Sequence, residues 1–134
     1  MNKELIMKMI EKAKDSSENA YCPYSNTPFG CSLLVEENII FGGCNIENAT
    51  LGCSMEAAEV AIMKAISEGY SKFSSICFWA EKDLPYPSGK IRQILYEFSH
   101  SNPNPVQVIV ASEDNYALHQ FFELFPFPPS PVEV

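Results

Sequence analysis

The feature that most constrains the fold is an alternation along the chain between amphipathic segments and short apolar runs. Three segments carry apolar residues at the three- and four-residue spacing of a helix with one buried face: residues 3–20, 55–69 and 89–98. Five short apolar runs are predicted to be strands: residues 31–35, 39–44, 74–80, 106–112 and 116–119. The order helix, hairpin, helix, strand, helix, strand predicts an α/β sandwich.

The sheet of this sandwich is predicted to be mixed. Residues 31–35 and 39–44 are joined by only Glu36-Glu37-Asn38, which is typical of an antiparallel hairpin, whereas the later strands are separated by helical crossovers. Ligands of such folds collect where strand ends meet helix N-termini. Because the helix starts near Ser54 and Ser88 both follow loops, we expect them to form one such mouth.

Net charge narrows the range of partners. The formal net charge is -8 at pH 7 and no basic run interrupts it, so we expect neither a nucleic-acid nor a membrane partner. The N-terminal segment lacks the apolar core of a signal peptide, which predicts a cytoplasmic protein. In that reducing compartment the 5 cysteines are expected to be free thiols.

Several runs of the sequence together resemble the cytidine deaminase family. They are "CNIENA", "AIMKAISEGY" and "PSGKIRQILYEF", and the match extends from "YCPYSNTPFGCSLL" to "ELFP". The resemblance implies a single domain over residues 1–134, folded as a three-layer α/β/α sandwich with a mixed five-stranded sheet. It also implies the short homotetrameric class, with sites at subunit boundaries and residues 125–134 contributing to the site or the interface.

The family's chemistry depends on a zinc ion, a water bound to it, and a glutamate that carries protons to and from the pyrimidine ring. The ligands are a Cys or His two residues before that glutamate and a pair of cysteines at the start of a later helix. Aligned without gaps, this chain has Glu56 at the first ligand position and Ala58 at the proton-shuttle position. Ser88 and Ile91 stand at the positions of the paired cysteines.

These replacements predict that the chain has no zinc and no other cofactor, because catalytic zinc takes three protein ligands and Ile91 has no donor atom. Glu59, three residues after Glu56, stands where the family has an arginine. Two interpretations of the glutamates remain open. In one, a glutamate forms an ion pair with Lys90 or Arg92. In the other, both glutamates face solvent in the first turn of a helix, where negative charge is favourable.

The resemblance also implies ligand contacts. Asn45 and Glu47 would hold the ribose hydroxyls, since an amide and a carboxylate two residues apart on one extended face can both reach a diol. Alternatively, Asn45 and Asn48 only cap and turn the loop. The remaining predicted contacts are Phe29, Ala57 and Phe127.

Three functions are compatible with these residues. We favour a homologue that has lost zinc-dependent deamination and binds a pyrimidine-nucleoside-like ligand in a non-catalytic or regulatory role. The second is an enzyme with metal-independent chemistry on a nucleoside-like substrate, in which Glu56 or Glu59 acts as acid or base. The third is a divergent cytidine or deoxycytidine deaminase that retains zinc.

Overall fold

The structure, a computed structural model, describes residues 1–129. Within this range the chain forms four helices and five strands, with 3-10 turns at Glu36–Asn38 and Leu51–Cys53. In chain order they are α1 (Lys3–Ser17), β1 (Phe29–Val35), β2 (Ile40–Cys44), α2 (Ala57–Ser67), β3 (Phe73–Ala80), α3 (Gly89–Ser99), β4 (Gln107–Ala111), β5 (Tyr116–Gln120) and α4 (Phe121–Leu124). None of these helices is both long and apolar enough to cross a bilayer.

All five strands form one mixed sheet in the order β2-β1-β3-β4-β5. β1 is antiparallel to both β2 and β3, β3 is parallel to β4, and β4 is antiparallel to β5. The only parallel pair among the described strands is the one connected through α3, because a parallel neighbour needs a crossover connection. The predicted α/β fold with a mixed five-stranded sheet is confirmed.

Helices cover both faces of this sheet, which gives the predicted three layers. Successive side chains of a strand point to opposite faces, and on β1 Leu33 and Leu34 are buried in two different clusters. Leu34 packs with the α1 side chains, including the fully buried Met9. Leu33 packs on the other face with α2 and α3, whose Ile62 and Leu95 are also fully buried.

Two glycines allow the helices to approach the sheet closely. A side chain at Gly30 on β1 would collide with the carbonyl oxygen of Ala13 in α1. A side chain at Gly43 on β2 would collide with the Ala57 carbonyl and lie 2.7 Å from the Ala61 amide nitrogen in α2. The contact between β2 and the start of α2 therefore depends on the absence of a Cβ atom.

Several predicted boundaries differ from the observed ones. α2 was expected to begin at residue 55, but it begins at Ala57 with Glu56 as N-cap. The reason is that the Met55 amide and carbonyl both pair with Ile46, which keeps Met55 extended. α1 ends at Ser17 rather than residue 20, and the short α4 was not predicted. The single domain over residues 1–134 stays a prediction, since residues 130–134 lie outside the described range.

We expect Gly43→Ala to lower the free energy of unfolding by about 1–3 kcal/mol, the usual cost of forcing extra atoms into a packed contact. The neighbouring atoms are backbone atoms of α2 and cannot rotate away. Gly89→Ala is the matched control, because a Cβ atom there meets nothing within 4 Å. Urea unfolding of both variants measures the difference, and equal midpoints would contradict the close approach.

Candidate functional site

A cavity of about 550 Å³ lies where β1 begins and β2 and β3 end, against the first turns of α2 and α3. Its aromatic wall contains Phe29, Phe78 and Tyr86, and its polar groups come mainly from the two helix starts and the loop after β2. Among the described residues, no Lys, Arg or His lines it. The predicted mouth between the two helix starts therefore exists, and its only formal charges are negative.

A short backbone pairing aims the polar side chains into this cavity. The Ile46 amide donates to the Met55 carbonyl at 3.0 Å, and the Met55 amide donates back at 2.8 Å. Ile46 is 42% exposed and does not line the cavity, whereas Met55 is 45% exposed and lies at its edge. Because side chains alternate along extended backbone, the residues that flank Ile46 point to the opposite side, toward the cavity, and their partners across the pairing follow them. All of them line the cavity: Asn45, Glu47, Ser54 and Glu56.

Asn45 supports the cavity wall. Its Oδ1 accepts the Phe29 amide at 2.9 Å, and its Nδ2 donates to the Thr27 carbonyl at 2.9 Å. Asn45 is buried, and these two hydrogen bonds hold the loop that leads into β1. Asn45 therefore does not cap its own loop, as the alternative interpretation had it, but binds the loop before β1. Its predicted ribose contact stays a prediction that can use only its remaining N–H and lone pair.

Glu47 is held by the loop that follows α1. Its Oε1 accepts the amides of Tyr24 and Ser25 at 2.9 and 3.1 Å. A hydrogen bond from the Ser25 side chain, together with these amides, holds the pKa of the Glu47 carboxyl below its ordinary value. Because this pKa is lowered, Glu47 remains ionised. A carboxylate has about four acceptor positions, so Glu47 can still accept a hydrogen bond from a ligand.

The first turn of α2 presents two small residues to the cavity. Ala57 and Ala58 both line it and are buried. Ala58, at the predicted proton-shuttle position, therefore reaches the site but brings only a methyl group. Ala57 is one of the predicted ligand contacts. It lines the cavity, and its contact with a ligand stays a prediction.

Glu56 and Ser88 connect the starts of α2 and α3. The Ser88 hydroxyl donates to Glu56 Oε2 at 2.9 Å, and Ser88 Oγ itself accepts the Ile91 amide at 3.2 Å as the N-cap of α3. Both residues line the cavity, as does the side chain of Ile91, which is otherwise buried in the core. The three predicted metal-ligand positions thus do meet in space.

The two glutamates of α2 have different environments. Glu59 Oε2 lies 2.9 Å from Lys90 Nζ, and the Glu59 side chain is only 10% exposed. Its other oxygen accepts the Glu56 amide at 3.3 Å as part of a capping box. The ion pair proposed from the sequence is therefore formed by Glu59 and Lys90. Glu59 does not line the cavity, so of the two candidate acid/base residues only Glu56 faces a ligand there.

Arg92 binds backbone instead of a carboxylate. Its Nε donates to the Pro87 carbonyl at 2.8 Å and its Nη1 to the Leu124 carbonyl at 2.5 Å. The second of these bonds holds the C-terminal end of α4 against α3. Phe127, farther along, is 100% exposed and does not line the cavity. Its predicted ligand contact stays a prediction, and residues 130–134 of the predicted tail lie outside the described range.

Sequence reasoning missed the anchoring of Tyr86. Its hydroxyl lies 2.9 Å from Nε2 of His119 on β5, and His119 Nδ1 lies 3.8 Å from Glu123 Oε2. A contact between residues 33 positions apart leaves no local pattern in the sequence from which it could be predicted. The consequence is that β5 fixes one aromatic wall of the cavity.

Comparison with known families changes the expectation for zinc. Residues 1–79 match the family described as the cytidine and deoxycytidylate deaminase zinc-binding region. This match contradicts our prediction that the protein has no zinc cofactor, since a family with a zinc-binding region points to zinc.

The residues at the predicted ligand positions do not fit three-ligand zinc coordination. Glu56 and Ser88 offer oxygen atoms 2.9 Å apart, but Ile91 offers only hydrocarbon. Residues 1–129 contain no group of three or more His, Cys, Asp and Glu side chains placed to hold an ion. What the cavity can do chemically is therefore derived from its own side chains.

Individual relatives agree with the family match. The cytidine deaminase of Sporosarcina psychrophila is 37% identical over 98 residues, covering 72% of each chain. That of Halalkalibacterium halodurans is 37% identical over 90 residues, covering 66% of this chain and 68% of the relative. The crystal structure of cytidine deaminase from Burkholderia pseudomallei has a TM-score of 0.83 at 29% identity, covering 95% of this chain and 98% of that one. This chain belongs to the cytidine and deoxycytidylate deaminase family.

Proposed function

We propose that this protein binds a pyrimidine-nucleoside-like ligand in the cavity and does not carry out the deamination for which its relatives are named. Ala58 carries the proposal, because it lies in the cavity wall at the position of the family's proton shuttle and is only 3% exposed. A methyl group neither accepts nor donates a proton. Loss of a general acid/base lowers a rate by about 10²- to 10⁴-fold, and deamination uses this group at more than one step.

The size and lining of the cavity support nucleoside binding. Its volume of about 550 Å³ falls within the range of small-molecule sites. The aromatic side chains Phe29, Phe78 and Tyr86 offer faces and edges against which a flat base can pack. A carboxylate at Glu47 provides an acceptor for sugar hydroxyls. The site thus has an apolar body with a few polar groups, as a nucleoside requires.

Glu47 is the main ribose contact in this proposal. Asn45 already uses its amide oxygen and one N–H on the backbone of the loop before β1. Glu47 is positioned by two backbone amides and keeps acceptor positions for a ligand. The hydrogen bonds that position Glu47 also keep it ionised, which strengthens a hydrogen bond from a hydroxyl.

The proposal includes a homotetramer built from one domain per chain. Large apolar side chains lie exposed beside the cavity and would be covered by a neighbouring copy. They are Tyr21, Tyr24, Ile46, Leu51 and Met55. The cytoplasmic location stays a prediction from the sequence.

We expect no conversion of cytidine to uridine, or of deoxycytidine to deoxyuridine, above the protein-free background. The reaction is followed by mass spectrometry with the protein as purified and again with added zinc, so that metal content does not decide the outcome. The Sporosarcina psychrophila cytidine deaminase is the positive control. Appreciable uridine would overturn the proposal and favour a zinc deaminase. A different product would favour the metal-independent enzyme, with Glu56 as the acid/base.

Replacing Glu47 with Gln is expected to weaken cytidine binding about 10-fold or more, because hydrogen bonds to charged groups contribute about 1.5–3 kcal/mol. Glu97→Gln removes the same charge from an exposed position on α3 outside the cavity and should leave binding unchanged. Isothermal titration calorimetry gives both affinities. Equal dissociation constants for the two variants would show that Glu47 does not contact the ligand.

A further inference from the structure

The carboxylates of the cavity lie at two separate places. The antiparallel pairing of Ile46 with Met55 sets Glu47 opposite Ser54 and Glu56 opposite Asn45. Glu47 and Glu56 are therefore diagonal neighbours, whose backbone positions lie about 7–8 Å apart in an antiparallel pair. A ligand that spans this distance meets an acceptor at each end.

Glu56 is fixed in orientation by the groups around it. Its Oε2 accepts the Ser88 hydroxyl at 2.9 Å, and its side chain takes part in the capping box of α2. The nearby cation, Lys90, is paired with Glu59, which lies outside the cavity lining. Since a carboxylate has about four acceptor positions, Glu56 keeps at least one for a ligand.

We propose that Glu56, oriented by Ser88, determines base specificity: it accepts a hydrogen bond from an exocyclic amine and so selects amino-pyrimidine over oxo-pyrimidine nucleosides. The inference rests on the proposed nucleoside binding, in which Glu47 takes the sugar end. Cytosine presents an N4 amino donor, whereas uracil presents an O4 acceptor at the same position. A carboxylate attracts the donor and repels the acceptor.

The surroundings of Glu56 strengthen this preference. Among the described residues no Lys, Arg or His lines the cavity, so no cation is available to hold O4. Ala57, Ala58 and Ile91 around Glu56 are apolar and buried. Electrostatic discrimination is larger in such surroundings than in water. A single hydrogen bond to a charged group gives discrimination of about 10- to 150-fold.

The test compares cytidine with uridine by isothermal titration calorimetry on the full chain. The wild type is expected to bind cytidine at least about 10-fold more tightly. Glu56→Gln should bring the two affinities within about threefold, because an amide can turn its NH2 toward O4. Glu97→Gln, which removes a charge outside the cavity, should keep the wild-type ratio. A purely structural role of Glu56 would lower both affinities together and leave their ratio unchanged.

Ser88→Ala provides a second variant if Glu56→Gln does not fold, with thermal melting as the check on folding. Loss of the orienting hydroxyl should reduce the cytidine preference at least about threefold, and an unchanged ratio would contradict the role of Ser88. Equal wild-type affinities for cytidine and uridine, or a preference that survives Glu56→Gln, would overturn the inference alone. If the wild type binds neither nucleoside, the proposed function itself fails.

Discussion

The cavity depends on one pair of backbone hydrogen bonds, those between Ile46 and Met55. They hold the segment after β2 against the segment before α2, and so direct the flanking polar side chains to one side. The same pairing keeps Met55 extended and delays the start of α2 to Ala57. Close packing of α2 on Gly43 then fixes the distance between helix and sheet. Without these contacts the residues of the site would have no common orientation.

The helix starts that form the cavity are joined by charge and hydrogen bonds. Glu56 accepts a hydrogen bond from Ser88, and Glu59 forms an ion pair with Lys90. The Glu59–Lys90 ion pair contributes little to the free energy of unfolding, because the Lys90 side chain is exposed and solvent screens the charge. Its effect on the site is to occupy the Lys90 cation outside the cavity. Glu56 thereby remains the acidic group that a ligand meets beside Ala58.

The sequence was sufficient for features that repeat or that lie close in the chain. Helical periodicity and the hairpin spacing predicted the mixed sheet, and the residues at the two helix starts were correctly expected to meet. The choice of Glu59 over Glu56 as the partner of Lys90 could not be predicted, because it depends on side-chain packing across α2 and α3. The same holds for the Tyr86–His119 contact and for the hydrogen bond from the Phe29 amide to Asn45. Both join residues that are distant in the sequence and meet only in the folded chain. The expectation of no zinc came from the identities of three residues and was contradicted by the family match, which covers residues 1–79.

The central claim is that the cavity holds a pyrimidine nucleoside without converting it. Proton NMR of cytidine mixed with a stoichiometric amount of the protein tests both halves in one sample. The account predicts broadened base and sugar resonances that remain those of cytidine throughout the incubation. Unbroadened lines, or the growth of uridine resonances at a rate set by the protein, would contradict it.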